Sequence, residues 1–311
     1  MLIRQLEYLV ALAAERHFAH AAERSGVSQP TLSAALRQLE HDLGTVIVER
    51  GNRFRGFTAD GEIVLRWARR MLSDEAALKQ ELDASRGTLK GRLRFGVIPS
   101  ANAVVPELTA SFAAEHRLVA IDETETTSIE ILRRLAEFEL DAGVTYIDNE
   151  PLEHVRSLPI WDERYVAVIP ESSDLARLDA VTWRQVASLP LCLMHRDMQN
   201  RRIYDAAFAS VGSVADIRIE VYSMMAKLAY LRTGDIATIM PSNLLPWIHA
   251  VPGMRAIPLI EPELSKVVGL VIADRAPVPA LLEAFWEHVG RIARTLRESA
   301  VTVQSISPMV P

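Results

Sequence analysis

The sequence predicts an α/β protein in two parts: a helix-rich N-terminal domain and a longer C-terminal α/β domain with two lobes. Three observations support this prediction. Residues 1–58 carry apolar side chains at helical spacing, with glycines between the segments. A long amphipathic segment, residues 59–86, follows. From residue 91 onward, short apolar runs alternate with helical patterns, which is typical of α/β folds.

The composition indicates a globular chain and leaves nucleic-acid binding open. With 311 residues and 49% hydrophobic content, the chain can bury a full core in two or three folding units. The net charge is −6, but residues 1–90 are almost neutral and the remainder carries the negative charge, so charge alone decides nothing. The single cysteine, Cys192, excludes an intramolecular disulfide or a paired-cysteine switch and fits a reducing cytoplasm.

Two apolar stretches were weighed as membrane or export segments. Residues 6–14 resemble the apolar core of a signal peptide, but Glu7 interrupts the pattern and an amphipathic helix fits better. Residues 236–254 lack charge yet contain three prolines and several polar residues, which disfavours a membrane span. We therefore expect a soluble, cytoplasmic protein with no membrane partner.

The first sixty residues predict three helices. Residues 3–15 carry apolar side chains on one helical face, and a short second helix should end before Gly26. Ser28 has the chemistry of an N-cap, and Pro30 is tolerated in the first turn of a third helix that ends at Gly44. Two short helices, a glycine-containing turn and a third helix with a polar outer face form a helix-turn-helix pattern.

The start of the third helix carries side chains suited to DNA. Gln29 can bond an adenine edge, and Arg37 can reach guanine or the backbone. The periodicity alone is also compatible with a small helical bundle whose polar face is simply solvated and does not bind DNA. The predicted DNA-binding residues here are Ser28, Gln29, Pro30, Thr31, Ser33 and Arg37.

The same segment resembles the N-terminal motif of LysR-type transcriptional regulators. Residues 21–33 read AAERSGVSQPTLS, and the match continues through LRQLE at 36–40, VER at 48–50 and TADG at 58–61. The resemblance implies a winged helix-turn-helix over residues 1–58 that binds double-stranded promoter DNA, with RNA polymerase as a further candidate partner. Ala34 and Ala35 stand where the family often has longer polar side chains. This helix should therefore read fewer bases or set Ala34 against a thymine methyl.

A basic hairpin follows. Apolar runs at 45–48 and 54–57 flank the turn dipeptide Gly51-Asn52, and the hairpin resembles the family's wing. Among its arginines, Arg53 and Arg55 are predicted to contact phosphates, which positions a domain without specifying sequence. The alternative is a charged hairpin that is solvated and does not contact DNA.

A long helix is predicted over residues 59–86, with Thr58 as its N-cap. By the resemblance it is the linker helix, within a linker and hinge over residues 59–90, that pairs subunits into a homodimer or a dimer of dimers. Packing within the same chain is the alternative. Apolar side chains form a stripe along this helix, and Asp74 and Glu75 interrupt that stripe. The helices of two subunits should therefore pair over part of their length only. The predicted dimerisation residues are Val64, Trp67, Met71 and Leu78.

Residues 91–303 are predicted to form two lobes, the first from about 91–163 and 267–300, the second from about 164–266. The alternation of elements predicts parallel strands. This part resembles the LysR effector domain and, more distantly, periplasmic binding proteins, so a small-molecule effector is expected between the lobes.

Ligands in such domains bind at the carboxyl ends of strands, where helix N-termini offer free N–H groups. Polar residues at these places, including Tyr146 beside Thr145, suit a small anion held around Ser100, Thr127 and Arg196. Each serine or threonine is equally well explained as a plain helix cap. The predicted effector-binding residues are Ser100, Asn102, Thr127, Ser128, Thr145, His195, Arg196 and Tyr222.

Two other classes of protein were considered. An enzyme is disfavoured because the adjacent His195, Arg196 and Asp197 are not a catalytic constellation, and no nucleophile elbow, P-loop or metal-ligand spacing is present. We accordingly predict no catalytic residues, no metal and no cofactor. A stand-alone solute-binding protein would lack the helix-turn-helix and would need an export signal.

Overall fold

In the computed structural model, the structure describes residues 1–50 and 54–304, with side chains for residues 1–49 and 54–297. The chain forms two compact units. Residues 1–89, together with 136–139 and 277–280, form the first, and the rest of the described chain forms the second.

The first unit begins with the three predicted helices, α1 (Ile3–Glu15), α2 (Phe18–Arg24) and α3 (Gln29–Leu43). The Ser28 hydroxyl caps α3 by accepting from the Thr31 backbone N–H at 3.3 Å. Gly44 ends α3 in the left-handed conformation, with φ of 68°. The helices pack around a common core that includes Leu9, Leu12, Leu32, Leu36 and Leu39.

The hairpin consists of β1 (Val48–Arg50) and β2 (Phe54–Phe57), which pair antiparallel. The Glu40 carboxylate, on α3, accepts from the backbone N–H groups of Ile47 and Val48 at 3.0 and 3.1 Å, so it fixes the start of the hairpin. The Phe54 ring meets Phe18 edge to face, with centroids 6.2 Å apart. The predicted phosphate contact Arg53 lies outside the described residues.

Helix α4 (Ala59–Ala84) begins at the predicted cap, where the Thr58 hydroxyl accepts from the Gly61 N–H at 2.9 Å. One face of the helix packs on the core of the first unit through the buried Leu65 and Ala68 and the half-buried Val64. The rest of the predicted stripe faces outward instead. Trp67, Met71 and Leu78 are 53%, 36% and 58% exposed in the single chain.

The described residues of the second unit form ten strands and seven helices. The strands are β3 (Gly91–Val97), β4 (Val119–Glu125), β5 (Ala142–Tyr146), β6 (Val155–Pro170), β7 (Val181–Thr182), β8 (Leu191–Met194), β9 (Ile217–Val221), β10 (Thr238–Pro241), β11 (Met254–Ile260) and β12 (Ser265–Ala273). The helices are α5 (Val105–Glu115), α6 (Ser128–Ala136), α7 (Trp183–Ala187), α8 (Gln199–Ser210), α9 (Met224–Leu231), α10 (Leu245–Ile248) and α11 (Ala280–Gln304).

The sheet of this unit is mixed. Its order is β4-β3-β5-β12-β6-β11-β7, with β10 also paired to β6. Strands β3, β4 and β5 are parallel, as are β8 and β9, whereas β12, β10 and β11 run antiparallel to β6. The expectation of parallel strands therefore holds only for part of the sheet.

Strand β6 pairs with different strands along its length. Through Arg164 it pairs with β12, and from Tyr165 onward it pairs with β10 and β11. One strand thus belongs to both halves of the unit, and its partner changes between Arg164 and Tyr165.

No helix in the described part of the chain combines the length and apolar composition that crossing a bilayer requires.

Gly61 lies where α4 approaches the hairpin most closely. A Cβ at this position would lie 2.1 Å from the Ile47 carbonyl oxygen, a backbone atom that cannot move aside alone. We expect Gly61→Ala to destabilise the chain by about 1–3 kcal/mol through overpacking, although alanine favours helix. Thermal unfolding followed by circular dichroism measures this.

Gly290→Ala is the matched control. Gly290 lies in helix α11, and its added Cβ would meet only Leu158 Cδ2, at an ordinary 3.7 Å. This variant should be neutral or stabilised by up to about 1 kcal/mol. Equal melting temperatures for both variants would contradict the close-approach argument.

Candidate functional site

Helix α3 presents a polar face to solvent. Leu32, Leu36 and Leu39 are at most 1% exposed and fix the inner face of the helix. The opposite face exposes Gln29 and Arg37. A helix held by one apolar seam in a compact three-helix unit, with such side chains outward, is suited to the DNA major groove.

The other predicted DNA-binding residues lie on or near this face. Ser28, Pro30 and Thr31 are exposed, and Ser33 is half-buried. The Ser28 and Thr31 hydroxyls are 2.8 Å apart, so one donates to the other and the accepting hydroxyl keeps its proton for a phosphate. Arg55 is exposed on β2.

The second unit contains a small cavity with room for about one water molecule in this conformation. Its wall is formed by the end of β3, the N-termini of α6 and α8, and the end of β5. The lining residues are Ile98, Pro99, Ser100, Thr127, Ser128, Tyr146, Met198, Gln199 and Asn200.

Two helix N-termini therefore meet at one cavity. Helix α6 starts at Ser128 and α8 at Gln199, and both residues line the space. The first N–H groups of a helix have no partner within the helix, and they carry partial positive charge. Two such ends facing one cavity favour a negatively charged or strongly accepting ligand group.

The cavity also contains buried polar atoms that lack a hydrogen bond. Ser128 and Asn200 are 3% and 4% exposed, and neither the Ser128 Oγ nor the Asn200 Oδ1 has a partner among the described residues. Thr127 differs, since its Oγ1 caps α6 by accepting from the Glu130 N–H at 3.2 Å. Leaving a polar atom buried and unpaired costs about 1–3 kcal/mol, which a ligand could recover.

A buried hydrogen-bond chain leads away from the cavity. The Ser100 Oγ lies 3.3 Å from the Tyr146 hydroxyl, and the Tyr146 hydroxyl lies 2.5 Å from the Glu163 Oε1 on β6. Glu163 is 1% exposed, and burial raises the pKa of its carboxyl to about 7. Burial likewise raises the pKa of the Tyr146 hydroxyl well above its usual value.

Arg201 fixes the start of α8. Its guanidinium donates to the Met194 carbonyl at 3.0 Å, to Glu220 at 2.6 Å and to Asp205 at 2.8 Å. The hydrogen bond from Arg201 lowers the pKa of the Glu220 carboxyl. Because these three acceptors occupy the guanidinium, Arg201 positions α8 and its charge is neutralised locally.

Several predicted effector residues do not line this cavity. Thr145 is fully buried, and Asn102 donates to Glu125. The His195 ring stacks on Tyr222 with centroids 4.4 Å apart, and the two side chains share a 2.9 Å hydrogen bond. Arg196 is exposed on the same loop. Their assignment to the effector stays a prediction.

The lining residues that sequence analysis missed are Met198, Gln199 and Asn200. They lie at a helix N-terminus that follows a strand, which is the kind of place where ligands were expected to bind, so the signal was present. The predicted residues His195 and Arg196 precede α8, whereas the residues that line the cavity lie at the start of α8. Among the described residues, no cluster of three or more histidine, cysteine or acidic side chains is arranged to hold a metal ion.

Comparison with known protein families identifies both parts of the chain. Residues 3–62 match the model of the bacterial regulatory helix-turn-helix protein, lysR family, and residues 86–294 match the LysR substrate binding domain. The chain belongs to the LysR family. It is a LysR-type transcriptional regulator with an N-terminal DNA-binding domain and a C-terminal effector-binding domain, which confirms the family, fold class and function predicted from sequence.

Three LysR-family proteins illustrate the likeness. The DNA-binding transcriptional dual regulator OxyR of Escherichia coli K12 is 30% identical over 295 residues, which cover 93% of this chain and 95% of OxyR. A full-length OxyR variant from Pseudomonas aeruginosa matches with a TM-score of 0.75 and 22% identity, covering 94% and 95% of the two chains. The effector-binding domain of QuiR, in complex with shikimate, matches with a TM-score of 0.59 and 21% identity, covering 67% of this chain and 99% of QuiR's.

Proposed function

We propose that this LysR-family regulator senses a small anion in the cavity between α6 and α8, and that it reads DNA with the exposed face of α3. The single observation that carries the ligand class is the convergence of two helix N-termini on buried polar atoms without partners. The related QuiR domain holds shikimate, which is a carboxylate, and this supports an oxyanion for the same fold.

The cavity in this conformation is smaller than such a ligand. A two-lobed domain accommodates a ligand by moving its lobes, and the bound state is then a shift between conformations that the protein already samples. The ligand would pair with Ser128 and Asn200 and with the free N–H groups of α6 and α8. Movement of the lobes would change how the domain arranges its subunits on DNA.

Peroxide sensing through cysteine is the second candidate, since E. coli OxyR relatives are named hydrogen peroxide-inducible genes activators. The only cysteine, Cys192, lies within β8 with 0% exposure. Burial raises the pKa of its thiol, which disfavours the reactive thiolate. This arrangement favours a bound effector over oxidation of a cysteine.

The groove assignment predicts different effects for variants of α3 and of the hairpin. Gln29→Ala should relax sequence preference, since a bidentate contact to adenine contributes about 1–3 kcal/mol of discrimination. Arg55→Ala and Arg53→Ala should weaken binding to all sequences and lower the salt-dependence slope by about one unit. Gel-shift titrations on promoter DNA and on scrambled DNA at several salt concentrations measure both effects.

Arg177→Ala is the control, because Arg177 is an exposed arginine of the second unit with 84% of its side chain accessible. It should leave affinity and slope unchanged. If Gln29→Ala kept the wild-type sequence preference and Arg55→Ala kept the wild-type salt-dependence slope, α3 and the wing would not make these contacts.

The exposed stripe of α4 predicts subunit pairing. Trp67, Met71 and Leu78 would bury apolar area in a dimer, and a charge among them would then be buried without a partner. We expect Met71→Glu to weaken dimerisation by at least about 3 kcal/mol, roughly a hundredfold. Sedimentation velocity over a concentration series measures the dissociation constant.

Ala76→Glu adds the same charge at an exposed position of α4 outside the stripe. It should leave the dimer intact. An unchanged dimer in Met71→Glu would mean that the subunits pair elsewhere.

The anion site predicts which ligands bind. Acetate, sulfate or shikimate should bind in isothermal titration calorimetry, whereas glycerol and ethylammonium should not. Ser128→Ala removes a hydroxyl that would bond a charged group, so affinity should fall by about 1.5–3 kcal/mol, or roughly 10- to 100-fold. Thr127→Val should weaken binding less, because its Oγ1 already caps α6.

Ser223→Ala is the matched control, since Ser223 caps α9 and does not line the cavity. It should bind anions as the wild type does. The assignment would be overturned if the cationic or neutral probes bound in preference to the anions. It would also be overturned if Ser128→Ala bound anions with wild-type affinity.

A further inference from the structure

We propose that Glu163 determines whether the cavity accepts an anion, because its protonation reverses a hydrogen-bond chain that ends on Ser100. This inference rests on the proposed anion site and adds a specificity-determining residue that does not touch the ligand. Glu163 is not among the residues that line the cavity.

The chain has three members, Ser100, Tyr146 and Glu163. Ser100 is 1% exposed and lines the cavity, and its Oγ reaches the Tyr146 hydroxyl at 3.3 Å. The Tyr146 hydroxyl in turn lies 2.5 Å from Glu163 Oε1. Each hydroxyl has one proton to donate, so the direction of the chain is set at its Glu163 end.

An ionised Glu163 can only accept hydrogen bonds. Tyr146 then donates to Glu163, and Ser100 donates to the Tyr146 oxygen. The Ser100 Oγ therefore faces the cavity with lone pairs alone. Lone pairs at the cavity wall and the buried carboxylate of Glu163 both repel negative charge, so this state disfavours binding of an anion.

A protonated Glu163 reverses every bond of the chain. Glu163 donates to Tyr146, Tyr146 donates to Ser100, and the Ser100 proton is free to donate to a ligand in the cavity. The proton that Glu163 gains comes from solvent. When a monovalent anion binds together with this proton, the two charges cancel. The net charge of the site therefore does not change.

The surroundings of Glu163 keep its two protonation states close in energy. Burial raises the pKa of its carboxyl to about 7, and the facing titratable groups are the hydroxyls of Tyr146, Tyr165 and Tyr204. Lys266 is its cross-strand neighbour on β12. No ion pair of 4.0 Å or less joins Glu163 to any cation in the described part of the chain, and its Oε2 has no hydrogen-bond partner there.

The buried cation Lys227 is engaged elsewhere. Lys227 donates to the Ile239 carbonyl at 2.8 Å, and its Nζ lies 5.9 Å from the centroid of the Tyr204 ring. Burial lowers the pKa of this ammonium to about 8. No strong local charge therefore fixes Glu163 as a carboxylate.

Calorimetry of the full chain with acetate, sulfate and shikimate at pH 6 and pH 8 tests the coupling, since all three probes stay ionised over this range. For each anion that binds, the dissociation constant should be about tenfold higher at pH 8, where only the minor, protonated form is competent. Binding heats in buffers of different ionisation enthalpy should show proton uptake. Glu163→Gln, a neutral donor, should bind with little pH dependence, and Tyr146→Phe should lose the dependence by breaking the chain.

Glu153→Gln, at an exposed position, is the matched control and should keep the tenfold change. Anion affinity that is independent of pH in the wild type, or pH dependence that survives in Glu163→Gln, overturns this inference and leaves the anion site standing. Failure of every anion to bind overturns the proposed function and the coupling with it.

Unfolding provides a measurement that needs no ligand. Since the folded-state pKa lies above that of an unfolded glutamate, the folded chain binds more protons between these values, and the stabilisation from Glu163 is lost as pH rises through about 7. The urea unfolding constant of the wild type, divided by that of Glu163→Gln, should rise about tenfold from pH 6 to pH 8. A constant ratio would show that Glu163 does not titrate there and would overturn the proposal.

Discussion

One continuous strand, β6, constrains the whole effector-binding domain. Its first part pairs with β12 and its last part with β10 and β11, so the two halves share an unbroken backbone ladder. Glu163 and Tyr165 stand on either side of the change of partner, deep in the domain. Residues from both halves, such as Ser100 and Asn200, line the cavity.

The chemistry of the cavity follows from backbone geometry more than from charged side chains. The helix ends of α6 and α8 supply N–H groups and partial positive charge without a flexible arginine, so little side-chain entropy is lost on binding. Arg201, the buried arginine nearby, has its guanidinium occupied by Glu220, Asp205 and a carbonyl. The domain thereby combines an anion-favouring space with a buried carboxyl, Glu163, whose proton can compensate the ligand's charge.

The DNA-binding domain meets a different demand, because it must hold one helix face still. Leu32, Leu36 and Leu39 anchor α3 to the core, and Glu40 bonds its far end to the start of the hairpin. Gly61 lets α4 approach the Ile47 backbone, and this close approach joins the linker helix firmly to the domain. A rigid α3 and a rigid linker together set the spacing at which paired subunits would meet DNA.

The sequence by itself determined the local elements, since helix caps and periodicity act over a few residues. Thr58, Ser28 and Gly44 marked helix ends that the structure shows at the same places, and the motif of residues 21–33 identified the family. Only the tertiary structure decided the strand partners of β6, the mixed direction of the sheet and the residues that line the cavity. Those depend on which segments meet across more than forty residues of chain, as Asn200 meets Ser100. Periodicity carries no information about such long-range contacts, and so the sequence could not reveal the link from Glu163 to the ligand cavity.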